Sequence, residues 1–434
     1  MARSQPLTWA FLVLSAAILV VSSLKLVYVP LAVWFELRRG TMLRGARALR
    51  AGPQAGRHPP GSDDFSVSVI VPAYNEAVVL RGCIESILRT RHPGLEIVIV
   101  DDGSTDGTPE VMNELAGAHE AVRVVSQPNA GKGAALNRGI AQAGGNVLVF
   151  VDADGVFSPM TIPWLLTGLR DPHVGAVCGD DRPVNLDRVQ TRLLSVISHL
   201  GTGLARRALS VLHCLPIVSG NIGAFRADLV RQVGGFRTDT VGEDLELTWR
   251  IYEAGYRVCF EPRAIVLAES PSTVRALWRQ RVRWSRGLLQ TVRHHWRMLG
   301  NPAHGVFGIF LGFNAVTMIV VPVLQLLVLL LLAVLVPRGM LAVDGSVVQL
   351  AAWLGLVVTV GLTVLGIALN AAWRDLGNLW TVPLWPLYSV FMALTMATAL
   401  VLEARGGPAA WNKAQRTGVV TEQALRGILR REEA

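Results

Sequence analysis

The sequence predicts an α/β domain with a parallel sheet, inserted between transmembrane α-helices. Three observations carry that prediction: a composition too apolar for a soluble chain, a polar middle in which strands alternate with helices, and acidic clusters at the ends of those strands. Of 434 residues 51% are hydrophobic, and the mean hydropathy is +0.41, so part of the chain must sit in lipid. A spanning helix needs about 20 apolar residues. Four stretches supply them: Leu7 to Trp34, Val306 to Val336, Val347 to Leu369 and Trp380 to Leu402.

The first stretch is longer than the apolar core of a signal peptide and shows no small-residue cleavage site, so residues 1–40 read as a retained anchor. Lys25 interrupts it, which means that the spanning part either tilts or ends early with the ammonium reaching for the interface. Arg38, Arg39, Arg44, Arg47 and Arg50 follow at once. Such a cluster orients the next domain towards the cytoplasm, and the formal charge of +9 then reflects membrane orientation and not nucleic-acid binding. Residues 41–64 form a basic linker, poor in apolar side chains and rich in Gly, Pro and Ser towards its end. The four cysteines, Cys83, Cys178, Cys214 and Cys259, show no CxxC spacing and read as buried thiols in a reducing compartment.

Residues 65–300 read as one globular domain. Phe65 to Val71 is a strand, Glu76 to Thr90 a helix, Glu96 to Val100 a strand and Thr108 to Ala118 a helix. Val122 to Ser126, the helix Gly133 to Ala143 and the strand Asn146 to Val151 continue the alternation, and this dictates a parallel sheet with crossover helices. The last strand is so apolar that it belongs at the centre of the sheet. In such sheets ligands bind beyond the carboxyl ends of the strands, where Asp101-Asp102 and Asp152-Ala153-Asp154 fall.

Two carboxylates one residue apart at a strand end can hold a divalent cation that bridges diphosphate oxygens and offsets charge on a leaving nucleotide. Asp101-Asp102-Gly103-Ser104 also suits an Asx turn, and an outward Asp there can accept hydrogen bonds from a base or ribose. Asn129-Ala130-Gly131-Lys132-Gly133 offers glycines for close backbone approach and a Lys for phosphate or a base carbonyl, without the spacing of a P-loop. Glu243-Asp244 either complements the start of a helix or, in sugar transfer with inversion, supplies the base that takes the acceptor's proton. Asp244 is the candidate for that role. Gln280-Arg281-Val282-Arg283-Trp284 suits an interfacial helix in which Arg283 can meet a diphosphate and Trp284 can stack on a sugar.

In this order the segments resemble the membrane-embedded family 2 glycosyltransferases, the processive group of cellulose, chitin, hyaluronan and poly-N-acetylglucosamine synthases. The resemblance runs through Val71 to Glu76, Asp101 to Ser104, Asn129 to Asn137, Asp152 to Asp154, Ser219-Gly220-Asn221 with Gly223 to Arg226, Glu243-Asp244 and Gln280 to Trp284. It implies a GT-A (Rossmann-like) fold, a UDP-sugar donor, Mg²⁺ or Mn²⁺, and inversion at the anomeric carbon. By the same resemblance Tyr74, Glu76, Asp102 and Lys132 would contact the uridine part, Asp152 the nucleotide and Asp154 the metal. Asp244 would be the general base, Gln280 and Arg283 would close on the diphosphate, and Trp284 would stack against the acceptor. Ser219, Gly220, Asn221 and Glu243 would shape the sugar or acceptor loop. Gly242 stands where many relatives carry Thr. Trp411-Asn412-Lys413 with Arg416-Thr417-Gly418 resembles a tail found in poly-N-acetylglucosamine-synthase-like members.

The expected activity is therefore transfer of N-acetylglucosamine or glucose from a UDP-sugar to a growing polysaccharide at the cell membrane. The alternative is single transfer to a lipid acceptor. A transporter with a cytoplasmic regulatory domain would need no ordered acidic set, and it would be expected to carry more ionisable residues in its spans. The C-terminal helices, residues 301–404, supply two or three spans. A third span would put the basic tail, 405–434, outside, against its Arg and Lys content; a cytoplasmic tail requires that one segment not cross.

Overall fold

The structure, a computed structural model, describes residues 5–48, 64–90, 92–341 and 345–407. Its eight strands are β1 (Val67–Ala73), β2 (Leu95–Asp101), β3 (Val122–Ser126), β4 (Val147–Phe150), β5 (Val156–Phe157), β6 (Val174–Pro183), β7 (Gly223–Arg226) and β8 (Arg257–Ala268). They form one sheet in the order β3-β2-β1-β4-β7-β6-β8-β5. β1 to β4 are mutually parallel, as expected, while β7 runs antiparallel to both β4 and β6. The sheet is thus mixed, because the four-residue β7 runs against its neighbours between β4 and β6.

The helices of the domain are α3 (Leu80–Leu88), α4 (Thr108–Ala118), α5 (Lys132–Gln142), α6 (Thr161–Gly168), α7 (Val189–His199), α8 (Arg207–Val211), α9 (Ala227–Gln232), α10 (Glu243–Glu253) and α11 (Val274–His294). Before them come α1 (Gln5–Ser23) and α2 (Tyr28–Ala48); after them α12 (Gly305–Ala315), α13 (Val321–Leu335), α14 (Gly345–Leu369) and α15 (Trp385–Ala404). Side-chain alternation along β4 builds both faces of the core at once. Val147, Val149 and Val151 pack with Leu80, Ile84 and Leu165 on one side, and Leu148 and Phe150 with Leu136, Phe225 and Phe236 on the other. Phe150 meets Phe236 edge to face at 4.9 Å, a geometry that adds to simple burial. The sheet is covered on both faces, so its carboxyl-end loops are held by a rigid frame. All four cysteines are buried or half-buried, and burial pushes the Cys214 and Cys259 thiols up to about 12.

Two sequence boundaries move. The anchor is not one helix: a 3₁₀ turn at Leu24–Val27 separates α1 from α2, and α2 runs on to Ala48 through the first part of the expected linker. Glu36 on α2 pairs with Arg207 at 2.8 Å and Arg39 with Glu261 at 2.9 Å, so part of the basic cluster docks the helix on the domain. Residues 49–63, including Arg50, and the tail motif at Trp411 to Gly418 lie outside the described residues.

Four segments are long and apolar enough to cross a membrane, Pro6–Gly40, Pro302–Leu335, Val348–Leu369 and Trp373–Ala404. The last of them is tied to the domain at both ends. The 3₁₀ segment before α15, Trp373–Leu384, is tied to α7 by Asp375, which meets His199 at 2.6 Å and accepts from Ser195 at 3.3 Å. Along its length α15 lies beside α11, with Trp278 against Phe391 at 5.3 Å. Its far end is bonded to the same helix: Glu403 accepts from Arg286 and Gln290, and the Gly407 carbonyl from Arg286. Both ends of α15 therefore sit against the globular domain. At the opposite pole Thr8 donates to the Met340 carbonyl, which joins the start of α1 to the turn between α13 and α14. Residue 407 therefore lies against α11, while α15 also packs on α13, where Gln325 donates to Ser389 at 3.1 Å.

Candidate active site

All fourteen residues singled out in the sequence line one cavity of about 670 Å³ at the carboxyl end of β1, β2 and β4. Tyr74 and Glu76 follow β1, and Asp101-Asp102 closes β2 as the expected Asx turn, with the Ser104 amide donating to Asp101 Oδ1 at 2.9 Å. Gly103 holds a positive φ of 75°, and a Cβ there would sit 2.8 Å from the Asn129 nitrogen, so the turn can approach the next loop only as glycine. Asp102 uses that approach. Its Oδ1 accepts from Gln127 Nε2 at 2.8 Å and the Ala130 amide at 2.9 Å, and its Oδ2 from the Gly131 amide at 2.9 Å. Asp102 thus clamps the loop that delivers Lys132, a task within the chain that its expected contact with uridine did not include.

Lys132, the first residue of α5, points at the carboxylates. Its Nζ lies 2.6 Å from Asp152 Oδ1 and 3.6 Å from Glu243 Oε1. Burial alone would weaken its hold on the proton, but Asp152, Glu243 and Asp244 together outweigh burial and raise its pKa. Glu243 is buried, and desolvation with the neighbouring Asp244 raises its carboxyl above the ordinary value against the pull of Lys132 and Arg283. Asp244 begins α10 and is oriented by the Gly220 amide, which donates to Oδ2 at 3.0 Å, and by the Leu245 amide, which donates to Oδ1 at 2.8 Å. The Ser219-Gly220-Asn221 turn serves both sides of the cavity, since Asn221 Oδ1 also accepts from the Asp152 amide at 3.2 Å. Asp154 is buried, with Oδ2 accepting from the Glu269 amide at 3.3 Å. Among the described residues there is no cluster of three or more metal-ligating side chains.

Gln280, Arg283, Trp284 and Gly287 recur at helical spacing on one face of α11 and line the cavity. Trp284 is 48% exposed, with the Arg281 guanidinium 4.1 Å over its ring, which leaves one indole face open. The helix is seated by a backbone contact that explains the unusual Gly242: a Cβ on Gly242 would lie 2.8 Å from Gly287 Cα, and the converse substitution meets Gly242 Cα at the same distance. Gln290 bolts the same joint, its Oε1 accepting from Thr240 Oγ1 and the Val241 amide, both at 3.0 Å. Gly287→Val should therefore displace α11 from the base of Asp244. The expected result is a loss of turnover of at least tenfold with about 1–3 kcal/mol of destabilisation from overpacking, read by steady-state kinetics and thermal melting; normal kinetics would mean that α11 is not positioned by this contact.

Sequence reasoning missed Asp181, Arg182 and Arg206, which also line the cavity. Asp180-Asp181-Arg182 ends the apolar β6 as Asp101-Asp102 ends β2, so the same strand-end signal was available. Arg206, in a π-helical turn over Leu200–Arg206, pairs with Asp181 at 2.6 Å and carried no local signal.

The model of glycosyl transferase family 2 matches residues 68–234. This segment is a family 2 glycosyltransferase domain. The family 2 domain and its neighbours are 35% identical over 229 residues to a probable glycosyltransferase of Bacillus subtilis, YdaM, and 31% identical over 222 residues to the poly-beta-1,6-N-acetyl-D-glucosamine synthase of Staphylococcus epidermidis. Each alignment covers 51% of this chain and 54% of the relative, so the chain spans about half the length of the curated relatives it matches. A solved mannosyltransferase of Pyrobaculum calidifontis, in complex with GDP-mannose and Mn²⁺, superposes with a TM-score of 0.58 at 25% identity, over 85% of this chain and 99% of that one. The GT-A fold of the family 2 domain follows, and the likeness extends into the flanking helices.

Proposed function

We propose that this chain transfers a sugar, with inversion, from a UDP-sugar to an acceptor held at the membrane face of the domain. The observation that supports it is the cavity in which Asp244, fixed by the Gly220 amide, faces the strand-end group of Asp152 and Lys132. Asp244 takes the proton of the acceptor hydroxyl as that oxygen attacks the anomeric carbon. The bond from the anomeric carbon to the diphosphate breaks, and UDP departs with the electron pair. Arg283 and Gln280 hold the diphosphate side, and Tyr74, Glu76 and the loop clamped by Asp102 bound the nucleotide side.

Asp154, with Asp152 beside it, fits Mg²⁺ or Mn²⁺, because these ions complete their shells with water and substrate phosphates instead of an all-protein cage. When bound, such an ion offsets the charge on the leaving diphosphate. Asp154→Ala is expected to weaken UDP binding at least tenfold in Mn²⁺ and to leave it unchanged in chelator, by titration calorimetry. Equal affinities with and without metal in the unsubstituted chain would remove Asp154 from that role. The positive cluster in the second half of α2 supports a cytoplasmic placement of the domain, where nucleotide sugars are available.

Two acceptor classes compete. The likeness to poly-N-acetylglucosamine synthase supports a growing polysaccharide, and the open face of Trp284 suits its terminus. The aliphatic side chains at the membrane end of the cavity support a lipid acceptor.

A further inference from the structure

The one charged side chain on α15 is Glu403, at the end that meets α11. Ionisable groups on a helix of spanning composition are costly to place and call for partners. Arg286 is the first, with Nε donating to Glu403 Oε1 at 2.5 Å. The same oxygen accepts from Gln290 Nε2 at 3.0 Å.

This second contact decides which way the Gln290 amide faces. Its Oε1 accepts from the Val241 amide and from Thr240 Oγ1, both at 3.0 Å. Thr240 Oγ1 itself accepts from the Gly242 amide at 3.2 Å, so its own proton is available to Gln290. The loop therefore offers Gln290 two donors, whereas the Glu403 carboxylate offers acceptors alone. Turned through half a rotation, the amide would set its nitrogen against both donors and its oxygen against the carboxylate. Glu403 thus locks the orientation in which Gln290 holds the loop.

That loop is the entry to α10. Gly242 occupies the N-cap position and has no side chain with which to cap the helix, while its carbonyl accepts from the Glu246 amide at 3.0 Å and closes the first turn. Gln290 supplies from outside the hold that a capping side chain gives elsewhere. Glu243 and Asp244 come next in the chain, and Val241, Gly242 and Asp244 share the cavity wall. The Gly220 amide orients the Asp244 carboxylate; Glu403, through Gln290, sets where its backbone begins. Because α15 also packs on α13, Asp244 takes its position from the apolar helices as well as from the sheet.

We propose that Glu403 is a positioning residue for sugar transfer, fixing the Gln290 amide so that Asp244 stands at the acceptor hydroxyl. The proposal rests on the glycosyl-transfer reading above and extends it to a residue outside the cavity. Glu403 makes and breaks no bond in the reaction, and the acceptor's proton still passes to Asp244.

The test measures single-turnover transfer from labelled UDP-sugars by the full chain in membranes, with UDP affinity of the purified chain followed by calorimetry. A misplacement of about 1 Å can cost on the order of a hundredfold in rate. Glu403→Ala, which frees the amide but leaves the loop its donors, should lower transfer about tenfold at saturating donor and leave UDP affinity within about twofold. Since this variant also strips Arg286 of its carboxylate, a second pair of variants keeps the charge. Gln290→Glu sets two carboxylates against each other at the present 3.0 Å contact, and such a pair resists joint ionisation; transfer at about pH 8 should fall about tenfold. Adding Glu403→Gln reverses the polarity of the contact, with the carboxylate now accepting from both the loop and the new amide, and Arg286 lies four positions before residue 290, within reach of the moved charge. Transfer should return to within about threefold of the unsubstituted chain, the coupling that a direct contact predicts. Glu403→Ala transfer within about twofold of the unsubstituted chain would overturn the proposal. So would an equal fall in UDP affinity, which marks a general structural role, or a paired variant no better than Gln290→Glu alone. An unsubstituted chain that transfers sugar from none of the UDP-sugars contradicts the glycosyl-transfer reading and this proposal with it, whereas normal transfer by that chain without rescue in the pair contradicts the role of Glu403 alone.

Discussion

Asp244→Asn is expected to lower sugar transfer by about two to four orders of magnitude, the usual worth of a positioned general base, while UDP affinity stays within about twofold. The substitution keeps the shape of the side chain. One of its polar atoms can still accept from the Gly220 amide, which fixes the carboxylate at 3.0 Å, so the loss isolates proton transfer from geometry. The measurement is single-turnover transfer at saturating donor, with UDP binding followed on the same protein. Turnover within about fivefold of the unsubstituted chain would remove Asp244 as base.

The second large effect belongs to Lys132. Its ammonium neutralises a group of three carboxylates from two separate elements: Asp152 after β4, and Glu243 and Asp244 at the start of α10. Lys132→Met leaves those charges facing one another, and removal of one partner from a buried ion pair costs roughly 3 kcal/mol at the lower end of the usual range, a fitting level because Asp152 is partly exposed. The thermal midpoint should fall by several degrees and donor binding should weaken. Glu243 gives the internal control. Its pKa is raised in the fold, so the fold favours the protonated form, and stability is lost as pH rises through the range above the ordinary Glu value. Glu243→Gln removes that loss. The variant should accordingly gain on the unsubstituted chain as pH rises above the ordinary Glu value, and Lys132→Met combined with Glu243→Gln should recover part of the Lys132 effect. Strict additivity of the two substitutions would show that they do not share one electrostatic cluster.

The half of the fold built from β1 to β4 was legible because its strands are continuous apolar runs and its helices follow at regular spacing. Local chemistry then placed the acidic pairs at strand ends, and the cavity gathers Asp102, Asp152, Asp154, Glu243 and Asp244 with Lys132 and the face of α11. The rest depended on contacts between residues far apart in the chain. The β7 strand reverses the sheet through only four residues, Gly223–Arg226. Gly242 looked like a departure from pattern until its approach to Gly287, 45 positions later, gave it a steric reason. α15 has the composition of a span, and only Glu403 bonded to Arg286 and Gln290 shows that its end returns to the domain. Asp102 shows the converse limit: its position was foreseen, but its carboxylate proves to be occupied by the loop before Lys132.

The most direct measurement of sugar transfer incubates the full chain in membranes with individual radiolabelled UDP-sugars and Mn²⁺ or Mg²⁺, then determines by NMR the anomeric configuration of the sugar in the product. The account predicts that one α-linked donor is consumed in a metal-dependent reaction, that the sugar appears β-linked in the product, and that Asp244→Asn membranes form none. Product with the α configuration retained, or equal product from Asp244→Asn, would contradict it.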